Sequence, residues 1–555
     1  MKCFSDQPGD EIYMTEEVIA VESSRGLEQK WKVLISVMMG IFMIILDSTI
    51  VNIAFPTLRA TLGASLSDAQ WVISIYVLAL GISTPVAGFL ADRFDIKRVY
   101  LLGIAMFTLG SLLCGFAPTL GLLIAARAFQ GIGGGIAQPL GPAQLYRAFS
   151  PKEQGSAFGI LGIALVVAPA LGPILGGWLV DLHIWRAIFF VNVPIGIIGV
   201  ILGRRFLVDH KTGTRAQFDP LGILTATIGF GAVLYAASEA ENYGWTGTLT
   251  LLMLGFGLVV LLLHVFIEMR VAKEPMTNLR LFSNPVFLNA SLVGYVATVA
   301  LFGAEFLMPI YLQSFRGRTA LEAGIILLGV AATSAVATPI AGRLFDKIGP
   351  RMIMFTGFVI LCFNTWQLAD LQATTAISYI VFLLALRGLA VGLILQTSYV
   401  AALGSIPVKE LPRGSSLFNS TRFVVQAVSV ATLATILVGF LSPSSQAAAQ
   451  QTQDVQATSV RFGVCETPGV AAQDNLPPGI GASLVSTPAA TAEATKAQIL
   501  SVLKATCDQS MQGFEAAYRL TFYAALGALF IVAFLPGWPG KWGGRGSTIS
   551  GASGH

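Results

Sequence analysis

Long apolar runs dominate the chain and are broken at fairly regular intervals by short polar segments. Fourteen runs reach the ~20 residues that cross a bilayer as a helix. They lie at about 33–54, 70–91, 99–117, 120–141, 155–179, 185–203, 219–238, 247–267, 286–310, 321–342, 352–370, 375–401, 414–441 and 519–536. Within lipid a backbone must bond to itself, so the pattern predicts an all-α membrane protein with fourteen transmembrane helices, numbered here as spans 1 to 14. Span 5 has an unusual composition: it is apolar throughout, yet holds Gly159, Gly162, Pro169, Gly172, Pro173, Gly176 and Gly177. That many Gly and Pro residues would ruin a soluble helix. In a membrane they give a smooth face for close packing and a bendable segment, so span 5 is expected to touch another helix and to move against it.

The pattern also repeats, with a period of about 254 residues. Gly88, Asp92, Arg93, Lys97 and Arg98 follow span 2; Gly342, Asp346, Lys347, Gly349 and Arg351 follow span 10. Arg127, Gly131 and Gly133 in span 4 are echoed by Arg387, Gly388 and Gly392 in span 12. Two matching pairs in the same order imply two six-helix halves, spans 1–6 and 9–14, with spans 7 and 8 inserted between them. The expected division is a tail at 1–32, a first half at 33–204, the inserted pair with its flanking loops at 205–270, a second half at 271–537 and a tail at 538–555. The second half includes an outer loop at 442–517, whose part from Thr491 to Gln512 is amphipathic at near-helical spacing and leads into span 14. Paired halves of this kind suggest alternating access around a midplane site.

Composition supports the membrane reading: hydrophobic residues make up 54% and charged residues 12%, about half the charge of an ordinary soluble protein. The net charge of +4 gives no reason to expect a nucleic-acid partner. With both termini cytoplasmic, about 23 of the 34 Lys and Arg residues fall on cytoplasmic segments and about 7 on outer ones, which selects that orientation. Trp31, Trp71, Trp185, Trp245, Trp538 and Trp542 sit near span ends, as an aromatic belt does. Span 1 carries Asp47 and Asn52 and follows a polar tail, so it does not read as a cleaved signal peptide. Cys114 and Cys362 fall in spans, while Cys465 and Cys507 share the outer loop, and whether these two pair stays open.

No phosphate-binding loop, hydrolase elbow or zinc-protease motif is present, and the four histidines lack metal-ligand spacing. The chain therefore does not read as an enzyme, and no metal or cofactor is expected. An ion gradient is left as the energy source, which requires ionisable groups inside the membrane. Asp47 lies roughly 21 Å into span 1 at ~1.5 Å per residue, and Arg127 lies at a similar depth in span 4, which runs the opposite way. The two are expected to pair, either as a fixed structural ion pair or as a proton site in which Arg127 tunes Asp47. Glu305, toward the outer end of span 9, is a further proton or cation candidate. Arg387 and Arg422 are placed within spans 12 and 13, to bond backbone carbonyls or an anionic group of the substrate. The charged turns with Asp92, Arg93, Lys97 and Arg98, and with Asp346 and Lys347, suit a latch against a neighbouring helix terminus. Trp71, Tyr76, Gln130, Gln138, Tyr311 and Gln313 are aromatic or amide side chains in or beside spans, the chemistry of a pocket for hydrophobic, cationic molecules.

These motifs resemble the major facilitator superfamily over nearly the whole chain, and within it the 14-span drug/proton antiporters of the EmrB/QacA type. The run from Leu46 through Asp47 and Asn52 to Pro56 is similar to that family's first-span motif; Gly88 to Arg98 resembles its loop between spans 2 and 3, and Arg127 to Gly133 its fourth-span motif. Gly172, Pro173, Gly176 and Gly177 resemble the fifth-span antiporter motif, and Trp185 to Gly196 and Gly414 to Arg422 resemble further family segments. Asp95 stands where the loop motif usually has Gly. Span 13 carries Asn419 and Arg422 in place of the membrane acid of some multidrug members. The resemblance implies the major facilitator fold and proton-coupled export of hydrophobic small molecules or drugs from a bacterial inner membrane. Its implied partners are protons, membrane lipid, a periplasmic adaptor and an outer-membrane channel. Export of one endogenous metabolite, such as a siderophore or antibiotic, and a non-transporting sensor are the alternatives.

Overall fold

The computed structural model describes residues 28–64, 66–209, 219–272, 275–440, 465 and 489–537. The expected C-terminal tail, the N-terminal tail apart from residues 28–32, and most of the outer loop lie outside those residues. Among them are fourteen helices long and apolar enough to cross a membrane. Spans 1 to 7 are Gln29–Phe55, Asp68–Phe94, Ile96–Phe116, Leu120–Ala148, Gln154–Asp181, Ala187–Phe206 and Pro220–Ala240. Spans 8 to 14 are Thr248–Val271, Pro285–Gln313, Glu322–Ile348, Pro350–Ala369, Ile377–Gly404, Val408–Leu437 and Cys507–Val532.

Local chemistry sets many of the helix starts. Thr319 and Glu322 form a reciprocal capping box at the head of span 10. Asn284 accepts from the Val286 and Phe287 amides ahead of span 9, with Pro285 in the first turn. Asp95 caps span 3 by accepting from the Lys97 amide at 2.8 Å. It does so at φ 81, and Gly349, its counterpart in the second half, has φ 78. The missing glycine of the first loop therefore does not remove the positive φ: Asp95 adopts it with ψ 134 where Gly349 has ψ -179, and its cap offsets a strain of about 1–3 kcal/mol. As expected, the amphipathic stretch after the outer loop is helical, within one helix over Ala489–Val532 that includes span 14.

The halves pack by corresponding rules. Span 2 lies against span 4 and span 10 against span 12, with span 1 against spans 5 and 6 and span 9 against spans 13 and 14. Two seams join the halves, one between spans 5 and 10 and the other between spans 2 and 13. Spans 7 and 8 pack on each other, and span 7 leans on spans 2 and 13, so the inserted pair lies alongside the second seam.

Cys465 and Cys507 are joined by a disulfide, and the Cys465 amide donates to the Phe315 carbonyl at 3.0 Å. The bond closes a loop with a sequence separation of 42, and loop closure of that size stabilises by up to about 4 kcal/mol. Replacing both cysteines with serine should lower the melting temperature of the purified protein and remove its sensitivity to reducing agents.

Candidate functional site

Asp47 and Arg127 meet inside the first half. Both are buried, at 0% and 1% exposure, with Arg127 Nη1 donating to Asp47 Oδ2 at 2.5 Å. The other carboxylate oxygen, Oδ1, accepts from Gln130 Nε2 at 2.9 Å and from Asn192 Nδ2 at 2.7 Å. Three hydrogen-bond donors, one of them a guanidinium, converge on the carboxylate. Ser111 Oγ accepts from both amides, at 2.8 and 2.9 Å, and so fixes which way they face. Arg127 is held in turn by the Val72 carbonyl at 3.1 Å and Gln130 Oε1 at 2.7 Å, and its guanidinium lies 4.0 Å from the Tyr76 ring centre. Spans 1, 2, 3, 4 and 6 thus each contribute to one charge-bearing network.

Two residues of this network have no role in the sequence reading. Asn192 stands out only as an amide within an apolar run of a family-like segment, and Ser111 carries no distinguishing signal. Tyr76 and Gln130, read as pocket side chains, instead belong to this network, with the Tyr76 hydroxyl donating to the Ile44 carbonyl at 3.1 Å.

The charged turns bridge the two seams. Asp92 at the end of span 2 pairs with Arg413 at the start of span 13, 2.6 Å apart. Asp346 at the end of span 10 accepts from the Gly155 amide at 2.7 Å and from the Ser156 amide and hydroxyl at 2.9 and 2.6 Å. It therefore sits on the N-terminus of span 5, where unpaired amides favour a negative charge. Close approach makes this possible, because a side chain on Gly155 would collide with the Gly342 carbonyl. The basic residues of these turns take other roles: Arg93 lies over Phe94, Lys97 reaches Asp209 at 3.6 Å, and Arg98 and Lys347 are exposed.

Span 5 divides its small residues between the halves. Near its start, Gly155 and Gly159 abut span 10 at Pro339 and Gly342. Farther along, Gly172 and Gly176 abut span 1 at Thr49 and Ile50. Gly177 faces open space and does not take part in this packing. Pro169 is half-buried, and the side chains of Pro173 and Glu305 lie outside the described residues.

The remaining candidates are dispersed. Trp71 stacks on Tyr235 of span 7 at 6.0 Å, and Gln138 has a buried carbonyl oxygen without a hydrogen-bond partner. Tyr311 donates to the Gln372 carbonyl at 2.7 Å and accepts from Arg316 at 3.1 Å, a structural arrangement, with Gln313 in the same terminal turn. Arg387 is fully buried and donates to Asn364 and Thr365 at 3.3 and 3.5 Å and to the Ala300 carbonyl. Arg422 lies beside its neighbour Phe423, and its Nε is buried without a hydrogen-bond partner.

Comparison with known proteins agrees with this architecture. The family model described as Major Facilitator Superfamily matches residues 37–430. The MFS-type transporter YhcA of Bacillus subtilis is 32% identical over 418 residues, spanning 75% of this chain and 78% of the relative. Multidrug resistance protein Stp of Mycobacterium tuberculosis is 32% identical over 412 residues, covering 74% of this chain and 76% of the relative. Among solved structures, the human organic anion transporter MFSD10 shares the fold at a TM-score of 0.57. It is 13% identical, and the match covers 90% of this chain and 100% of that one.

Proposed function

The chain belongs to the Major Facilitator Superfamily, and we propose that this transporter is a proton-coupled exporter of hydrophobic small molecules, seated in the cell membrane with both termini in the cytoplasm. The observation that carries the reading is Asp47, an acid wholly buried in the membrane interior and held by one guanidinium and two amides. An ionisable residue there is costly, and function is the default reason for retaining it. In the described conformation all three partners donate to it. Taking up a proton removes the charge that holds Arg127, which keeps its bonds to the Val72 carbonyl and Gln130. The guanidinium and span 4 are then free to shift relative to span 1. Alternation between these two arrangements lets Asp47 exchange a proton as the halves rock on span 5. Similarity to a protein named for multidrug resistance supports a hydrophobic drug-like substrate.

On this reading the Asp92–Arg413 pair and the Asp346 contacts hold the cytoplasmic side shut. Asp346→Ala removes three accepted bonds, at about 1.5–3 kcal/mol for each bond to a charged group. It should slow export by roughly tenfold or more while the protein still reaches the membrane, measured as dye efflux from cells matched for expression.

The reading is tested in proteoliposomes with ethidium and lincomycin as probes. An imposed pH gradient should drive substrate against its own concentration gradient, and collapsing the gradient should stop it. Uphill movement that is indifferent to the pH gradient would overturn the proposal.

A further inference from the structure

The inserted pair of spans carries a second acidic site, away from Asp47. Glu268 lies in the π-helical turn Ile267–Val271 that ends span 8, and its side chain is only 1% exposed. One carboxylate oxygen accepts from the Thr277 amide at 3.1 Å; the other, Oε1, is buried with no hydrogen-bond partner. Asp219 caps span 7 by accepting from the Gly222 amide at 2.8 Å, and its second oxygen, Oδ2, is likewise buried without a partner. Both orphan oxygens would touch a methyl group placed on Gly222, so they lie within about 5 Å of each other, a separation at which two carboxylates resist joint ionisation.

The groups facing this pair do not neutralise it. His264 Nδ1 meets Thr225 Oγ1 at 3.1 Å, and that hydroxyl donates to the Leu221 carbonyl at 2.7 Å, so the ring nitrogen must be the donor. His264 Nε2 meets Thr277 Oγ1 at 2.9 Å and stands 3.8 Å from Glu268 Oε1, beyond hydrogen-bond reach. A neutral ring protonated on Nδ1 satisfies both hydroxyl contacts. Arg413 is the described cation whose field reaches Glu268, and it is already paired with Asp92 at 2.6 Å.

We propose that Asp219 and Glu268 together hold one proton, and that this proton leaves Arg413 available to Asp92. The ligand is a proton because two buried acceptors without a donor border the same position, Gly222, and one proton on the pair removes the repulsion between their charges. Its loss places an additional negative charge near Arg413, which competes with Asp92 for the guanidinium and loosens the seam between spans 2 and 13. The site lies in the inserted helices, so it responds to pH independently of the proton carried by Asp47. The inference does not depend on the direction or substrate of transport.

Glu268→Gln provides the test. Its amide oxygen can still accept from Thr277, and its NH2 can donate to Asp219, so the variant reproduces the protonated pair without a titrating group. At neutral pH the folded wild type holds a proton that the unfolded chain, with its ordinary carboxyl groups, has already released. Wild-type melting temperature should therefore fall by several degrees relative to Glu268→Gln as pH rises from about 6 to 9. Infrared difference spectra across the same range should show loss of a protonated carboxyl band in wild type and in Asp47→Asn, but not in Glu268→Gln or Asp219→Asn. Spin labels at the ends of spans 2 and 13 should move apart at high pH in wild type and in Asp47→Asn, but not in Glu268→Gln. The same pH slope and infrared band in wild type and Glu268→Gln would overturn the proton site. A label distance unchanged with pH in wild type would overturn its link to Arg413.

Discussion

Asp47→Asn is expected to lower uphill export by about a hundredfold or more while leaving a folded protein. Asparagine keeps an oxygen to accept from Gln130 and Asn192, which hold Asp47 at 2.9 and 2.7 Å. It resembles the protonated acid, a state the protein must pass through if Asp47 carries the proton. Arg127 keeps its bonds to the Val72 carbonyl and Gln130. The variant should therefore bind substrate and allow downhill exchange while failing to couple to a pH gradient. Uphill accumulation and counterflow, measured in the same vesicles, separate these two outcomes. Asp47→Glu restores the acid but lengthens the side chain in a fully packed site, and it should recover only part of the activity.

Arg127→Ala should act first on stability. It leaves a buried carboxylate with two amide donors and no counter-charge, and breaking one side of a buried ion pair costs about 3–5 kcal/mol. It also empties the space beside Tyr76, whose ring centre is 4.0 Å from the guanidinium. A large drop in melting temperature is expected at neutral pH. Acidification should recover part of it, because protonating Asp47 removes the uncompensated charge, and the gain should exceed any shown by the wild type over the same range. Arg127→Lys keeps the charge without the planar fork that reaches Asp47, Gln130 and Val72 together, so its melting temperature should lie between the two.

The main features of this architecture could be read from the amino-acid sequence because lipid makes simple demands. Span length, the excess of basic residues on one set of loops and the repeat from Asp92 to Asp346 follow from burial and topology. The Asp47–Arg127 pair was legible for a related reason: residue count along two oppositely directed helices measures depth. Depth does not determine which face a residue occupies, so Tyr76 and Gln130 were grouped with substrate contacts when they surround Arg127. Asn192 and Ser111 join the network from spans distant in sequence, and no local pattern marks a serine as the acceptor for two amides. The partner of Asp92 was hidden likewise: Arg413 reads as one more basic residue at a span end until the seam between the halves is known. Asp95 shows the opposite limit, since a residue that departs from the usual glycine caps the turn with its own side chain. The Cys465–Cys507 bond stayed open because spacing alone does not specify disulfide connectivity.

The central claim is that Asp47 exchanges its proton against substrate, holding it in the substrate-free protein and giving it up when substrate binds. The most direct measurement is proton release from the purified transporter in weakly buffered detergent solution, followed with a pH indicator as ethidium is added. Wild type should release protons in proportion to the ethidium bound, and Asp47→Asn should bind the dye and release none. Equal proton release from Asp47→Asn and wild type would contradict the account.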